Sequence, residues 1–157
     1  MAEVTQLPEV VCANLQTAAR YDDFFDIVIE ADDFTAVAGK EYGLNKAAGM
    51  AVTLPASTPG ARISFFNVAD VTSNNHVITA ATGDLLKGYA FIRDEQDGAA
   101  NDFNYFAPDG ADDLIITLNG TTTGGLVGDR IELIGTPGGW NVRCILSGTG
   151  TFATPFS

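Results

Sequence analysis

Apolar and polar residues alternate in short runs along most of this 157-residue chain, with the period of two that a half-buried strand requires. Phe25, Ile27 and Ile29 alternate first, inside a run over residues 21–30 that mixes aromatic and acidic side chains. Val52-Thr53-Leu54 reads as a strand stopped by Pro55, because proline cannot donate to a ladder. Thr58-Pro59-Gly60-Ala61 predicts a turn, with proline pre-setting φ and glycine free to take positive φ. Ile63 and Phe65 then share a face, while Phe66 and Val68 fall on the opposite one, the mark of a bulge or of burial on both sides. Ser73-Asn74-Asn75-His76 reads as a turn before strand Val77-Ile78-Thr79. Thr82-Gly83-Asp84 is a further turn ahead of a strand over residues 87–93. Residues 94–110 read as one long polar loop, a length at which loops tend to carry function.

The last third is the most regular. Leu114, Ile116 and Leu118 lie on one side of a strand that ends at the turn signal Asn119-Gly120. Residues 130–134 alternate polar and apolar, Pro137-Gly138-Gly139 turns the chain, and residues 140–146 return as a hairpin partner. Trp140, Val142, Cys144 and Leu146 share a face, with Ile131 and Leu133 on the same face across the hairpin. The first forty residues differ. Leu7-Pro8 starts an extended segment, and residues 10–20 allow a short helix, although their apolar positions lack a clean helical period. Residues 1–40 are therefore expected to form an N-terminal arm or first strand, and residues 41–157 the folded domain. Many short strands punctuated by Gly, Pro and Asn predict a single-domain, antiparallel β-sandwich or barrel, jelly-roll-like, with an N-terminal extension. No solenoid-length repeat is visible.

Charge narrows the choice of partner. The chain carries 8 Lys+Arg against 20 Asp+Glu, a formal charge of −12. A field of that sign repels phosphate and anionic lipid, so neither nucleic acid nor a membrane is an expected partner, whereas a protein with basic patches is. No apolar run is long enough to span a bilayer, and the first residues lack the basic start and apolar core of a secretory signal. Assembly in a cytoplasm is expected. There Cys12 and Cys144 would be free, buried thiols, with a single bridge between them as the alternative.

Candidate chemistry is sparse. His76 is the only histidine, placed in an Asn-rich turn away from any nucleophile, and reads as a surface turn residue. One histidine and two distant cysteines match no zinc spacing. The glycine-rich stretch over residues 124–129 has no Lys-Ser/Thr and opens no helix, so it reads as a turn. Asp22-Asp23, Asp32-Asp33 and Asp112-Asp113 are acidic pairs that a hydrolase could use. Asp94, Asp97 and Asp102 offer hard oxygen ligands for calcium, against a solvated acidic loop as the plainer reading. Phe103, Tyr105 and Phe106 sit in the long loop, where they either line a sugar- or protein-binding surface or plug one end of the domain. No catalytic residue, metal or cofactor is expected. The C-terminal segment ends on Phe152 and Phe156 without a solubilising charge, so it should dock on its own subunit or on a neighbour.

Several stretches together resemble a known family. They are Leu44-Asn45-Lys46-Ala47-Ala48-Gly49, Val52-Thr53-Leu54-Pro55 and Gly60-Ala61-Arg62-Ile63-Ser64-Phe65, followed by Gly128-Asp129-Arg130-Ile131-Glu132-Leu133, Trp140 after a Gly-Gly turn, and Gly148-Thr149-Gly150-Thr151. In this order they resemble the head decoration, or cement, proteins of tailed phages, from about Lys40 to the C-terminus. The resemblance implies a homotrimer on the outer face of the capsid, bound to the major capsid protein and stabilising the mature shell without a cofactor. Terminal apolarity, independently of the family, marks Leu7, Val10, Val11, Phe152 and Phe156 as expected contacts between subunits. The alternative is a host-surface or glycan-binding module of a fibre or head spike, which would expose Tyr105 or Trp140.

Overall fold

The computed structural model describes residues 26–95 and 103–157. Eleven strands form among them: β1 (Ile27–Glu30), β2 (Phe34–Thr35), β3 (Lys40–Leu44), β4 (Ala51–Thr53), β5 (Arg62–Asn67), β6 (His76–Thr79), β7 (Leu85–Asp94), β8 (Phe103–Phe106), β9 (Ile115–Leu118), β10 (Arg130–Thr136) and β11 (Gly139–Gly148). Seven form a large sheet in the order β1-β3-β5-β10-β11-β7-β8, and four form a small sheet in the order β2-β4-β6-β9. The sheets pack on one shared core as an all-β sandwich, the fold class that the alternation predicts.

The sheets are mixed, where purely antiparallel ones were expected. Five pairings are parallel and four antiparallel. The cause is the path of the chain. From β1 to β6 successive strands fall in opposite sheets, so each strand crosses the core before the chain returns to its own sheet. Parallel neighbours need a crossover connection, and here a strand of the facing sheet supplies it. The hairpin β10–β11 then inserts between β5 and β7, antiparallel to the first and parallel to the second. That winding departs from a jelly roll, whose two sheets are built from Greek keys. It also draws β1 and β2, which precede residue 41, into the two sheets.

Inward positions fill the sandwich. β11 contributes Trp140, Val142, Cys144 and Leu146, and β10 contributes Ile131 and Leu133, all fully or almost fully buried. The hairpin register pairs Ile131 with Cys144 and Leu133 with Val142, as the alternation requires. β5 adds Ile63 and Phe65, β6 adds Ile78, and β9 adds Ile116 and Leu118. Tyr42 lies between Phe34 and Phe65, with ring centroids 4.8 and 5.7 Å away, and its hydroxyl accepts a hydrogen bond from the Val37 amide at 2.8 Å. Gly88 shows how tightly β7 and β11 meet. It holds φ at 132°, and a Cβ there would lie 1.9 Å from the Val142 carbonyl oxygen.

The C-terminal segment closes one edge of the small sheet. The amides of Leu114 and Ile115 donate to the Ser157 carbonyl at 2.9 and 2.8 Å, and the Ser157 amide donates back to Ile115 at 3.1 Å. Phe156 bridges to Ile116 and is buried in the core of its own subunit. Of the two docking modes open to this tail, it takes the first. Phe156 therefore offers no surface to a neighbour in this arrangement, and Phe152 is half-buried against Gly148. Leu7, Val10 and Val11 lie outside the described residues.

Candidate interaction surface

Alternation leaves the odd residues of β7 and β8 on the outer face of the large sheet. There Tyr89, Phe91, Phe103 and Tyr105 meet as one cluster. Phe91 lies 5.3 Å from Tyr89, 5.5 Å from Tyr105 and 6.2 Å from Phe103 between centroids, each pair edge to face, and Tyr89 and Tyr105 are stacked at 6.0 Å. Phe103 and Tyr105 are 65% and 57% exposed, so these rings are ordered against each other yet still open to solvent. Ile145 on β11, opposite Phe91 in the register, extends the patch. At the far edge of the same sheet Ile27 and Ile29 of β1 are 54% and 52% exposed. Phe66 and Val68 lie beside Ile29, over Gly43, where a Cβ would come within 2.9 Å of all three side chains. The register runs unbroken through Phe66, so there is no bulge, and its ring is half-buried on the outer face beside Ile29 and Val68.

Between the two apolar ends runs a charged ladder. Arg130 bonds Glu41 at 2.8 Å and approaches Glu132 at 3.6 Å; Arg143 reaches Glu132 at 3.4 Å and donates to the Tyr89 hydroxyl at 3.1 Å. Beside it a shallow groove of about 220 Å³ is lined by Lys40, Arg62 and Glu41 among others. That is below the roughly 300–1,000 Å³ of small-molecule sites. A second concavity of about 390 Å³, near Asp33, Lys46 and Asn75, is open to solvent. The outward positions of the large sheet carry Arg62, Lys87, Arg93, Arg130 and Arg143 against Glu41 and Glu132. On a chain of charge −12, the outward strand positions of that sheet are net basic among the described residues.

Several sequence-predicted residues are placed differently. Phe103, Tyr105 and Phe106 are not in a loop; they form β8, paired antiparallel with β7. Phe106 packs against the core, while the other two rings face outward. Trp140 is fully buried, so of the two aromatic residues expected on a binding face only Tyr105 is exposed. His76 is not a surface turn residue but the first residue of β6, fully buried with neither ring nitrogen hydrogen-bonded. Burial first, and Lys46 second, lower its pKa from 6.5 to about 4. Asp97 and Asp102 lie outside the described residues, and Asp94 ends β7. Among the described residues, the carboxylates that converge are Asp109, Asp112 and Asp113, with one oxygen of each within 4.8 Å of the others. Asp113 accepts the Asp109 amide at 2.6 Å, so the loop's own hydrogen bonding accounts for that grouping.

Sequence reading missed Asp129. Its Oδ2 accepts from the amides of Gly125 and Leu126 at 2.7 and 3.1 Å, and it is almost fully buried. Burial raises its pKa from 3.8 to about 6 against the opposing pull of those amides and of Ser147. The nearby Cys144 is a free, buried thiol, pushed far up by burial and then by Asp129. Comparison with protein-family models, curated proteins and solved structures gave no match to this chain.

Proposed function

We propose that this protein is a structural component of a tailed-phage particle that binds the outer surface of the capsid as a homotrimer and stabilises the mature shell. The observation that carries this reading is the broad outer face of the large sheet, with exposed rings at one edge and exposed isoleucines at the other. Clustered tyrosine, phenylalanine and arginine is the composition of interface centres. Burying surface on two neighbouring shell subunits raises the cost of separating them, and binding only the mature lattice stabilises it by mass action. The sequence resemblance to decoration proteins points the same way.

The test is to mix the purified protein with undecorated capsids, sediment them, and follow shell disruption with temperature. Co-sedimentation at a fixed stoichiometry and a raised disruption temperature are expected. Failure to sediment with any capsid would contradict the role. A second reading, a host-surface glycan module, is favoured by one observation: Tyr105 and Phe103 stand exposed, with Arg143 bonded to the neighbouring Tyr89. Retention on a glycan array, lost in Tyr105→Ala, would favour that reading.

A further inference from the structure

Both edge strands of the large sheet are apolar on the same face: Ile27 and Ile29 at β1, Phe103 and Tyr105 at β8. Each strand is four residues long and carries neither lysine nor proline, the usual devices that blunt an edge. An exposed apolar edge with unpaired backbone groups is a template for another strand. Building on the oligomeric reading above, we propose that β8 of one copy pairs with β1 of the next, so that the large sheet continues from subunit to subunit around a closed ring.

Direction and register each support a second copy as the occupant. β1 runs with β3, β5, β11 and β7, whereas β8 runs against them. Subunits related by rotation about an axis along the strands therefore bring β8 and β1 together antiparallel, with their outer faces still outward. Matching outward positions sets Phe103 opposite Ile29, Tyr105 opposite Ile27 and Asn104 opposite Val28. Aromatic and β-branched residues facing each other across strands are a favourable combination. Pairing β8 with β8, or β1 with β1, would leave the other edge bare. Only the head-to-tail contact covers both edges of every copy.

Two variants test this in the full-length protein. Tyr105→Lys and Ile29→Lys each alter a side chain that is more than half exposed. Each alone should run as a 16.5 kDa monomer by light scattering after size exclusion, at a concentration where the unchanged protein is several-fold heavier. Mixed in equal amounts they should form a heterodimer and nothing larger, because the intact β1 of the first meets the intact β8 of the second. That recovery also shows that both variants are folded. A mixture that stays monomeric, or a variant that still assembles alone, overturns the pairing. So does an unchanged protein that is monomeric, as it would be if residues 1–25 of the same chain covered β1. A monomer that still sediments with capsids refutes the edge pairing and leaves the decoration role standing. Variants that behave as expected in a protein that ignores capsids do the reverse.

Discussion

The two sheets of this sandwich end differently. The small sheet is closed at β9 by the chain's own C-terminal segment, which pairs with the strand and drives Phe156 into the core. The large sheet ends at β1 and β8 with apolar side chains in solvent. Both ends face the same physical problem, a row of backbone groups that must find partners. One is solved within the subunit. Among the described residues no strand lies beyond β1 or β8, and the proposed pairing between copies would supply one.

The comparison can be broken most forcefully at the closed edge. Phe156→Ala should cost about 3–5 kcal/mol, the range for emptying a buried aromatic site, read as a lowered midpoint in urea. Phe103→Ala at the open edge, measured at a dilution where the chain is monomeric, should stay within about 0.5 kcal/mol of the unchanged protein. Equal costs at the two positions would show that the edges do not differ.

Next in size are the two buried titrating groups. His76 has its pKa lowered to about 4 from 6.5, so between those values the unfolded chain binds a proton that the folded one refuses. Its contribution is therefore lost as pH falls from 6.5 towards 4. Asp129 is raised from 3.8 to about 6, so the folded chain holds the extra proton and stability is gained over much the same fall. The two offset each other. Asp129→Asn should steepen acid destabilisation between pH 6 and 4 by roughly 2–3 kcal/mol relative to the unchanged protein, from about 1.4 kcal/mol per unit of pKa. His76→Leu should shift the slope the opposite way. Urea titrations at pH 7, 5 and 4 read both, and parallel slopes in all three proteins would rule the offset out.

The smallest effect belongs to the ladder between the apolar patches. Arg143 is half-exposed, and its contacts to Glu132 and Tyr89 are solvent-screened. Arg143→Gln should change stability by less than about 1 kcal/mol. A larger loss would mean that the ladder holds the aromatic cluster in place.

How much of this was legible in the sequence follows from which residues are buried. The β10–β11 hairpin was readable to the register, because Ile131, Leu133, Val142 and Cys144 alternate cleanly around a Pro-Gly turn. β8 was not. Its outward rings are exposed, so they leave no burial pattern, and the strand follows a run of Gly, Ala, Asn and Asp that reads as loop. His76 was misread because Asn74 and Asn75 carry the turn and the strand begins one residue earlier than the apolar run. Parallel pairing was hidden for a different reason. Alternation reports which face a residue takes, not which strand lies beside it. The tail was legible as a docked element but not as a partner for β9, since nothing in its residues specifies that edge. The interaction surface was half visible. Tyr105 and Phe103 stood out as aromatic residues without a core role, whereas Ile27 and Ile29 passed as ordinary strand positions until β1 proved to be an edge.

The most direct measurement is the mass of the unchanged, full-length protein in solution, by light scattering over a hundredfold range of concentration. The account predicts a closed multiple of 16.5 kDa at the upper end, converting to monomer without larger species on dilution. A monomer throughout, with both edges of the large sheet bare, would contradict it.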